Sequence, residues 1–297
     1  MFLLEQPELV LMGKTSRGTF CIVSSAFGFG IGLIFALYAY QRGVSVFTLL
    51  FLRFSLSSIL LFGYLFLQCG KKLPEVTGWS LLLVLGILHT LQSICYYSSV
   101  KYIPASLTAL ILYSYPAFVC LLSFLIDRVS ISKRLVLSLA TSFVGLALIL
   151  DTSFKTANVI GLMFAFGAAI VYSCYIVISN RVLRKISPLV SGAYIILFTA
   201  GFISFTGILS RNISFQFSPS AWIPILGFVI FSTILANVLF LNGIKLLGST
   251  KASILSVTEP LFTIISATLL FHDPWAYHQV FGGILVLLGV LLSSLPR

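Results

Sequence analysis

The sequence predicts an all-α membrane protein: ten transmembrane helices arranged as two inverted five-helix repeats around a central cavity. Three observations predict it. The 297 residues are 59% hydrophobic and only 8% charged, with a mean hydropathy of +1.11, which is the composition of a polytopic membrane protein. The apolar residues fall into ten runs, each near the ~20 residues that a helix needs to cross a bilayer. Two long stretches repeat each other at one constant offset, the signature of an internal duplication.

The runs lie at 19–39, 46–67, 79–100, 104–126 and 134–152, then 158–180, 188–209, 220–243, 250–271 and 277–295. The connections between them are short, and no soluble domain is inserted. Lysine and arginine test the count, because cytoplasmic loops carry the excess of both. With the N-terminus inside, the inner segments hold Lys14 and Arg17, Lys71 and Lys72, Arg128, Lys133 and Arg134, Arg181, Arg184 and Lys185, Lys245 and Lys251, and Arg297. The outer loops hold Arg42, Lys101, Lys155 and Arg211. This lopsided split fits ten spans with both termini cytoplasmic. Residues 1–18 then form a cytoplasmic N-terminal segment, 19–152 the first repeat and 153–297 the second.

The repeat is read by setting 96–118 on 240–262. A shift of 144 places Lys101 on Lys245, Tyr115-Pro116 on Glu259-Pro260, Phe118 on Phe262 and, further on, Gly145 on Gly289. Five spans per half is an odd number, so the second half crosses in the opposite sense. That is the plan of many secondary transporters, whose substrate lies at mid-membrane between the halves.

Chemistry concentrates near the middle of the spans. Glu259 is the one carboxylate well inside a run, and an intramembrane charge is costly unless it faces polar partners. It is the first candidate for proton coupling or gating, and hydrogen bonding to a kinked backbone fits it equally. Pro260 beside it, and Pro116 at the matching position, each remove a backbone donor and kink the helix. Arg53 lies roughly 10 Å below the outer edge of the second run at ~1.5 Å per residue, placed to pair with an acid or attract an anionic group. His89, Gln92, Tyr96 and Ser99 share one face of the third run by their spacing of three and four. Such a stripe lines a cavity or ties helices together. Tyr113, Tyr172 and Tyr175 combine an apolar body with a polar handle, suited to a binding wall or to packing. Asn237 has the same two readings. Gly28, Gly30 and Gly32, with Gly282, Gly283 and Gly289, allow close helix contact.

Other classes find no support. No nucleophile–base pair, metal-ligand spacing or phosphate loop occurs, so neither an enzyme nor a cofactor or metal is expected. The five cysteines lack metal or redox spacing. The net charge of +11 is scattered through short loops, which suits anionic lipid rather than nucleic acid. The N-terminus lacks the basic and apolar regions of a secretory signal.

Arg53-Phe54, the stretch Tyr97–Pro104, Leu112–Pro116 with Asp127 beyond it, and Gly243–Gly248 followed by Glu259-Pro260 occur in an order and duplication that resemble the EamA-type ten-helix transporters of the drug/metabolite transporter superfamily. His272-Asp273 departs from that pattern, where such families often carry Glu. The resemblance implies a bacterial inner-membrane protein with a cavity lined by spans one, three, four, six, eight and nine. It implies transport of small metabolites: amino acids and their analogues, nucleobase-type compounds or adenosylated cofactors. The expected activity is a secondary carrier working by alternating access, with export slightly favoured; the alternatives are uptake, exchange or uniport of the same solutes, or a non-transporting membrane scaffold. Gln92, Tyr96, Tyr113, Tyr172, Tyr175 and Asn237 would touch solute, and Glu259, Pro260, Pro116 and Arg53 would couple or gate.

Overall fold

A computed structural model describes residues 13–69, 78–128, 132–150, 158–271 and 276–294. The first twelve residues and His272-Asp273 lie outside it. The ten apolar runs are ten helical spans, and no strand occurs among the described residues. We number them α1 (Lys14–Tyr40), α2 (Val46–Cys69), α3 (Trp79–Ser99), α4 (Ala105–Leu112 and Tyr115–Asp127), α5 (Lys133–Leu150), α6 (Val159–Val182) and α7 (Pro188–Leu209). The last three are α8 (Pro219–Leu247), α9 (Ser249–Leu255, then Ser256–Thr258 and Glu259–Phe271) and α10 (Tyr277–Ser294). Among the described residues nine helices are long and apolar enough to cross a membrane, and α10 is shorter. Helix α1 begins five residues before its apolar run, which takes Lys14 and Arg17 into the helix.

Local signals set several ends. Asn158 accepts a hydrogen bond from the Ile160 amide at 2.9 Å, and Ser187 from the Val190 amide at 3.4 Å with Pro188 following. Each side chain satisfies an amide that the first helical turn leaves unpaired. Leu67, Leu209 and Ile223 are largely exposed on the outside, as expected of surfaces that meet lipid, where hydrocarbon leaves no reason to hide them.

The packing is two-fold. Helix α5 packs on α10, α2 on α7 and α4 on α9; α3 against α6 is matched by α8 against α1, and α3 against α7 by α8 against α2. Glycines make the register visible. Gly145 lies against the backbone of Gly282 and Val286, and Gly289 against that of Ser138 and Ser142. The 144-residue shift turns one set into the other. A similar pair of contacts has Leu246 and Leu247 covering Gly18 while Tyr102 and Ile103, 144 residues earlier, cover Gly161, which is 143 residues on from Gly18. Because each half has five spans, the matched helices run in opposite senses.

One element breaks the two-fold. Phe228–Leu235 in α8 is a π-helical turn, with the Thr233 hydroxyl donating to the Phe228 carbonyl at 3.1 Å. The matching stretch of α3 is ordinary α-helix. Such insertions often accompany functional sites.

Candidate functional site

Both prolines do what their chemistry dictates. A proline inside a helix loses its amide hydrogen bond, and its ring clashes with the carbonyl four residues earlier. For Pro116 that residue is Leu112, where the first piece of α4 stops, and the chain turns through Tyr113 and Ser114 before resuming. For Pro260 it is Ser256, where α9 tightens into the 3-10 turn Ser256–Thr258. Serine hydroxyls take up carbonyls at both breaks: Ser114 donates to Ile111 at 2.6 Å and Ser256 to Ser253 at 2.8 Å.

Tyr115 and Glu259 each begin the second piece of a broken span, and the two breaks face each other at the α4–α9 contact. The Tyr115 hydroxyl donates to the Ser256 hydroxyl oxygen, with the Ser253 carbonyl oxygen 3.4 Å away. In the other direction the Tyr113 hydroxyl is placed to donate to the Glu259 carboxylate. Glu259 is half-buried and faces polar groups rather than hydrocarbon: Tyr96, Tyr115, Tyr172 and Arg53 all lie within its electrostatic reach.

A run of rings connects this carboxylate to Arg53. Tyr113 and Tyr115 have ring centres 6.3 Å apart, and Tyr115 meets Tyr172 edge-on at 4.8 Å. Tyr172 stacks on Tyr175 at 5.8 Å and Tyr175 on His89 at 5.4 Å. His89 meets Phe54 edge-on at 5.4 Å. The Arg53 guanidinium lies 4.6 Å from the centres of both the Phe54 and Phe228 rings. Such a seat favours a planar, delocalised cation over an ammonium. Arg53 and Glu259 feel each other through space, and no ion pair joins them. Phe228 opens the π turn, so that irregularity supplies one face of the arginine's seat.

The other residues singled out from sequence are placed as follows. Gln92 and Tyr96 are half-buried on α3, one turn apart. Tyr175 is buried, and its hydroxyl lacks a formed hydrogen bond, with the Ser179 hydroxyl as a neighbour. Asn237 is 3% exposed and has no hydrogen-bond partner among the described residues. Pro116 and Pro260 are buried. The α3 stripe is not uniform. Its His89 is buried and its Nδ1 lies 3.2 Å from the Thr199 hydroxyl. Ser99 is fully buried, bonded to Thr108 at 3.0 Å and to the Gly161 carbonyl at 2.9 Å. Those two tie helices together.

Three residues join the centre without having been singled out. Tyr40 and Tyr97 lie within electrostatic reach of Arg53, and Ser256 receives Tyr115. Tyr97 is offset by about 100° from Tyr96 on a 3.6-residue turn, so a single-face reading omits it. Helix α1 supports the site by its glycines: a Cβ on Gly30 would lie 3.0 Å from the Glu259 carbonyl oxygen, while Gly28 and Gly32 face α8.

Comparison with known proteins follows the same lines. The family described as EamA-like transporter family matches residues 16–151 and again 159–295. The uncharacterized transporter YcbK of Bacillus subtilis is 25% identical over 283 residues, covering 91% of this chain and 90% of its own. The uncharacterized transporter YyaM of the same organism is 26% identical over 251 residues, 82% of each chain. An uncharacterized transporter of Archaeoglobus fulgidus is 27% identical over 214 residues, 71% of this chain and 75% of its own. One solved crystal structure superposes with a TM-score of 0.80 at 20% identity, covering 95% of this chain and 98% of that one, and so shares the fold.

Proposed function

The chain belongs to the EamA-like transporter family, and from that premise we propose that it is a secondary carrier for a small metabolite with charge at both ends. Glu259 receives the solute's cationic group and Arg53 its anionic group. Gln92, Tyr96, Tyr113, Tyr172, Tyr175 and Asn237 form the wall between them. Amino acids and their analogues meet this description, and nucleobase-type or adenosylated compounds would use the same rings for stacking. The proposed direction is export across a bacterial inner membrane, with both termini in the cytoplasm. Protons are the proposed coupling ion, carried by Glu259.

The observation that carries this reading is the pairing of opposite charges without contact. A carboxylate and a guanidinium face one polar, ring-lined interior, and no direct bridge satisfies them. Buried charges need partners, and a solute that brings both signs supplies them. The broken spans provide the moving parts. Each half contributes one proline break at the joint, so closing one side while opening the other uses equivalent hinges in opposite orientation.

Proteoliposomes loaded with amino acids, nucleobases and adenosylated compounds test this, with and without a pH gradient. Saturable movement of a charged-at-both-ends solute, driven by the gradient in the wild type and lost in Glu259→Gln, is expected. Movement that ignores both the gradient and Glu259→Gln would remove the proton role. No movement of any solute in the panel by folded protein would overturn the carrier reading.

A further inference from the structure

We propose that the end of the bundle opposite Tyr40 carries an anion-binding site for a phosphate-bearing ligand, separate from the Glu259–Arg53 centre. A cavity of about 1020 Å³ lies there, with Lys14, Arg134, Arg184, Lys245 and Lys251 in its lining. The five come from α1, α5, the loop after α6, α8 and α9. The one carboxylate among the lining's described residues, Asp127, is engaged by Arg181, which donates to it at 2.9 and 3.1 Å. Asp127 is thereby committed to Arg181 rather than to the lysines of the lining.

Membrane topology asks that lysine and arginine lie on one side; it does not ask that they meet. The duplicated fold does not ask for it either. The 144-residue shift maps Lys245 to Lys101 at the opposite end, but Arg134 to His278 and Lys251 to Leu107. The duplicated fold therefore stands without this cluster at its other end. Local physics also runs against it. Lys14 and Arg134 occupy the first turns of α1 and α5, which have no acidic residue there, and the helix macrodipole disfavours cations at that end.

A second observation is independent of charge. Thr250 lines the same cavity, is 8% exposed, and its hydroxyl has no hydrogen-bond partner. Buried hydroxyls are normally paired, and an anion held by the surrounding cations would accept this one. Arginine forks and lysine ammoniums together are the usual recognition set for phosphate. The ligand is a soluble phosphoester or the headgroup of an anionic phospholipid. The site does not depend on the carrier reading.

The test uses the full chain in an uncharged detergent, titrated with pyrophosphate and inorganic phosphate at constant ionic strength, and read by thermal melting. Parallel samples sit in phosphatidylcholine nanodiscs with and without phosphatidylglycerol. Saturable stabilisation is expected, weakened about tenfold or more in the double variant Lys245→Gln with Lys251→Gln, as loss of charge-assisted bonds predicts. Lys101→Gln should leave it unchanged. Should the double variant not fold, Arg184→Gln in the loop serves instead and should weaken binding in the same sense. Stabilisation by the soluble anions identifies a soluble ligand. Stabilisation by phosphatidylglycerol alone, lost in the same variants, identifies a lipid headgroup. No variant-sensitive response to either, or equal loss in Lys101→Gln, overturns the proposal.

Discussion

Tyr115 and Glu259 occupy the same register position in the two halves, and each meets the other half's broken span. The tyrosine hydroxyl bonds Ser256, and the carboxylate faces Tyr113. One position of an ancestral repeat thus carries a neutral clasp in one copy and a charge in the other. A clasp can hold a joint closed, whereas a charge can respond to a ligand.

The clasp should be measurable by itself. Tyr115→Phe and Ser256→Ala are each expected to lower stability in detergent by about 1 kcal/mol, the net worth of a buried hydrogen bond. The double variant should lose little more than either single one, giving a coupling energy above about 0.5 kcal/mol. Strict additivity in a melting-based double-mutant cycle would show that the hydroxyls do not cooperate.

Arg53 should not be replaceable by lysine. Its guanidinium lies between the Phe54 and Phe228 rings, 4.6 Å from each centre, and a compact, tetrahedral ammonium cannot lie flat against both. Arg53→Lys is expected to weaken solute affinity at least about tenfold, or ~1.4 kcal/mol, with the same sign as Arg53→Gln. Affinity measured by concentration-dependent transport, with retained melting temperature, is the check.

Asn237 separates binding from structure. Unpaired and buried, it stabilises nothing through hydrogen bonds, so Asn237→Leu should leave the melting temperature unchanged or raise it. Solute affinity should fall. A variant that melts well below the wild type would instead mean that the amide ties helices together.

The glycine joint between α5 and α10 should be intolerant. A Cβ on Gly145 would lie 2.7 Å from the Val286 amide nitrogen and 2.8 Å from the Leu285 Cβ. Backbone cannot yield as a flexible side chain does, so Gly145→Ala is expected to cost about 1–3 kcal/mol. Gly63→Ala, where a Cβ meets nothing within 4 Å, should be silent in the same melting assay.

Much of this was legible without coordinates. Pro116 and Pro260 announce their breaks because ring sterics act within one turn, and the helices fail four residues upstream as the clash requires. The shift that superposes Gly145 on Gly289 is the register in which α5 and α10 interlock. The α3 stripe is less fully legible. Spacing tells that His89, Gln92, Tyr96 and Ser99 share a face, but not what packs on it. Thr199 and Thr108 bond two of them across to neighbouring helices, and no local pattern names those partners. The π turn of α8 was invisible for a related reason: one residue added to a helix leaves hydropathy almost unchanged.

The amino-acid order alone determined the spans, their alternation and their duplication, because lipid imposes a length on every apolar run and a side on most cations. It also determined where two spans break. Only the tertiary structure decided that Arg53 sits between two rings within reach of Glu259 without touching it, and that cations from four spans and a loop line one cavity. Those distances depend on how helices far apart in sequence rotate against one another. That rotation is set by close packing of glycines and rings across the two-fold joint, a property of pairs of surfaces rather than of any single run.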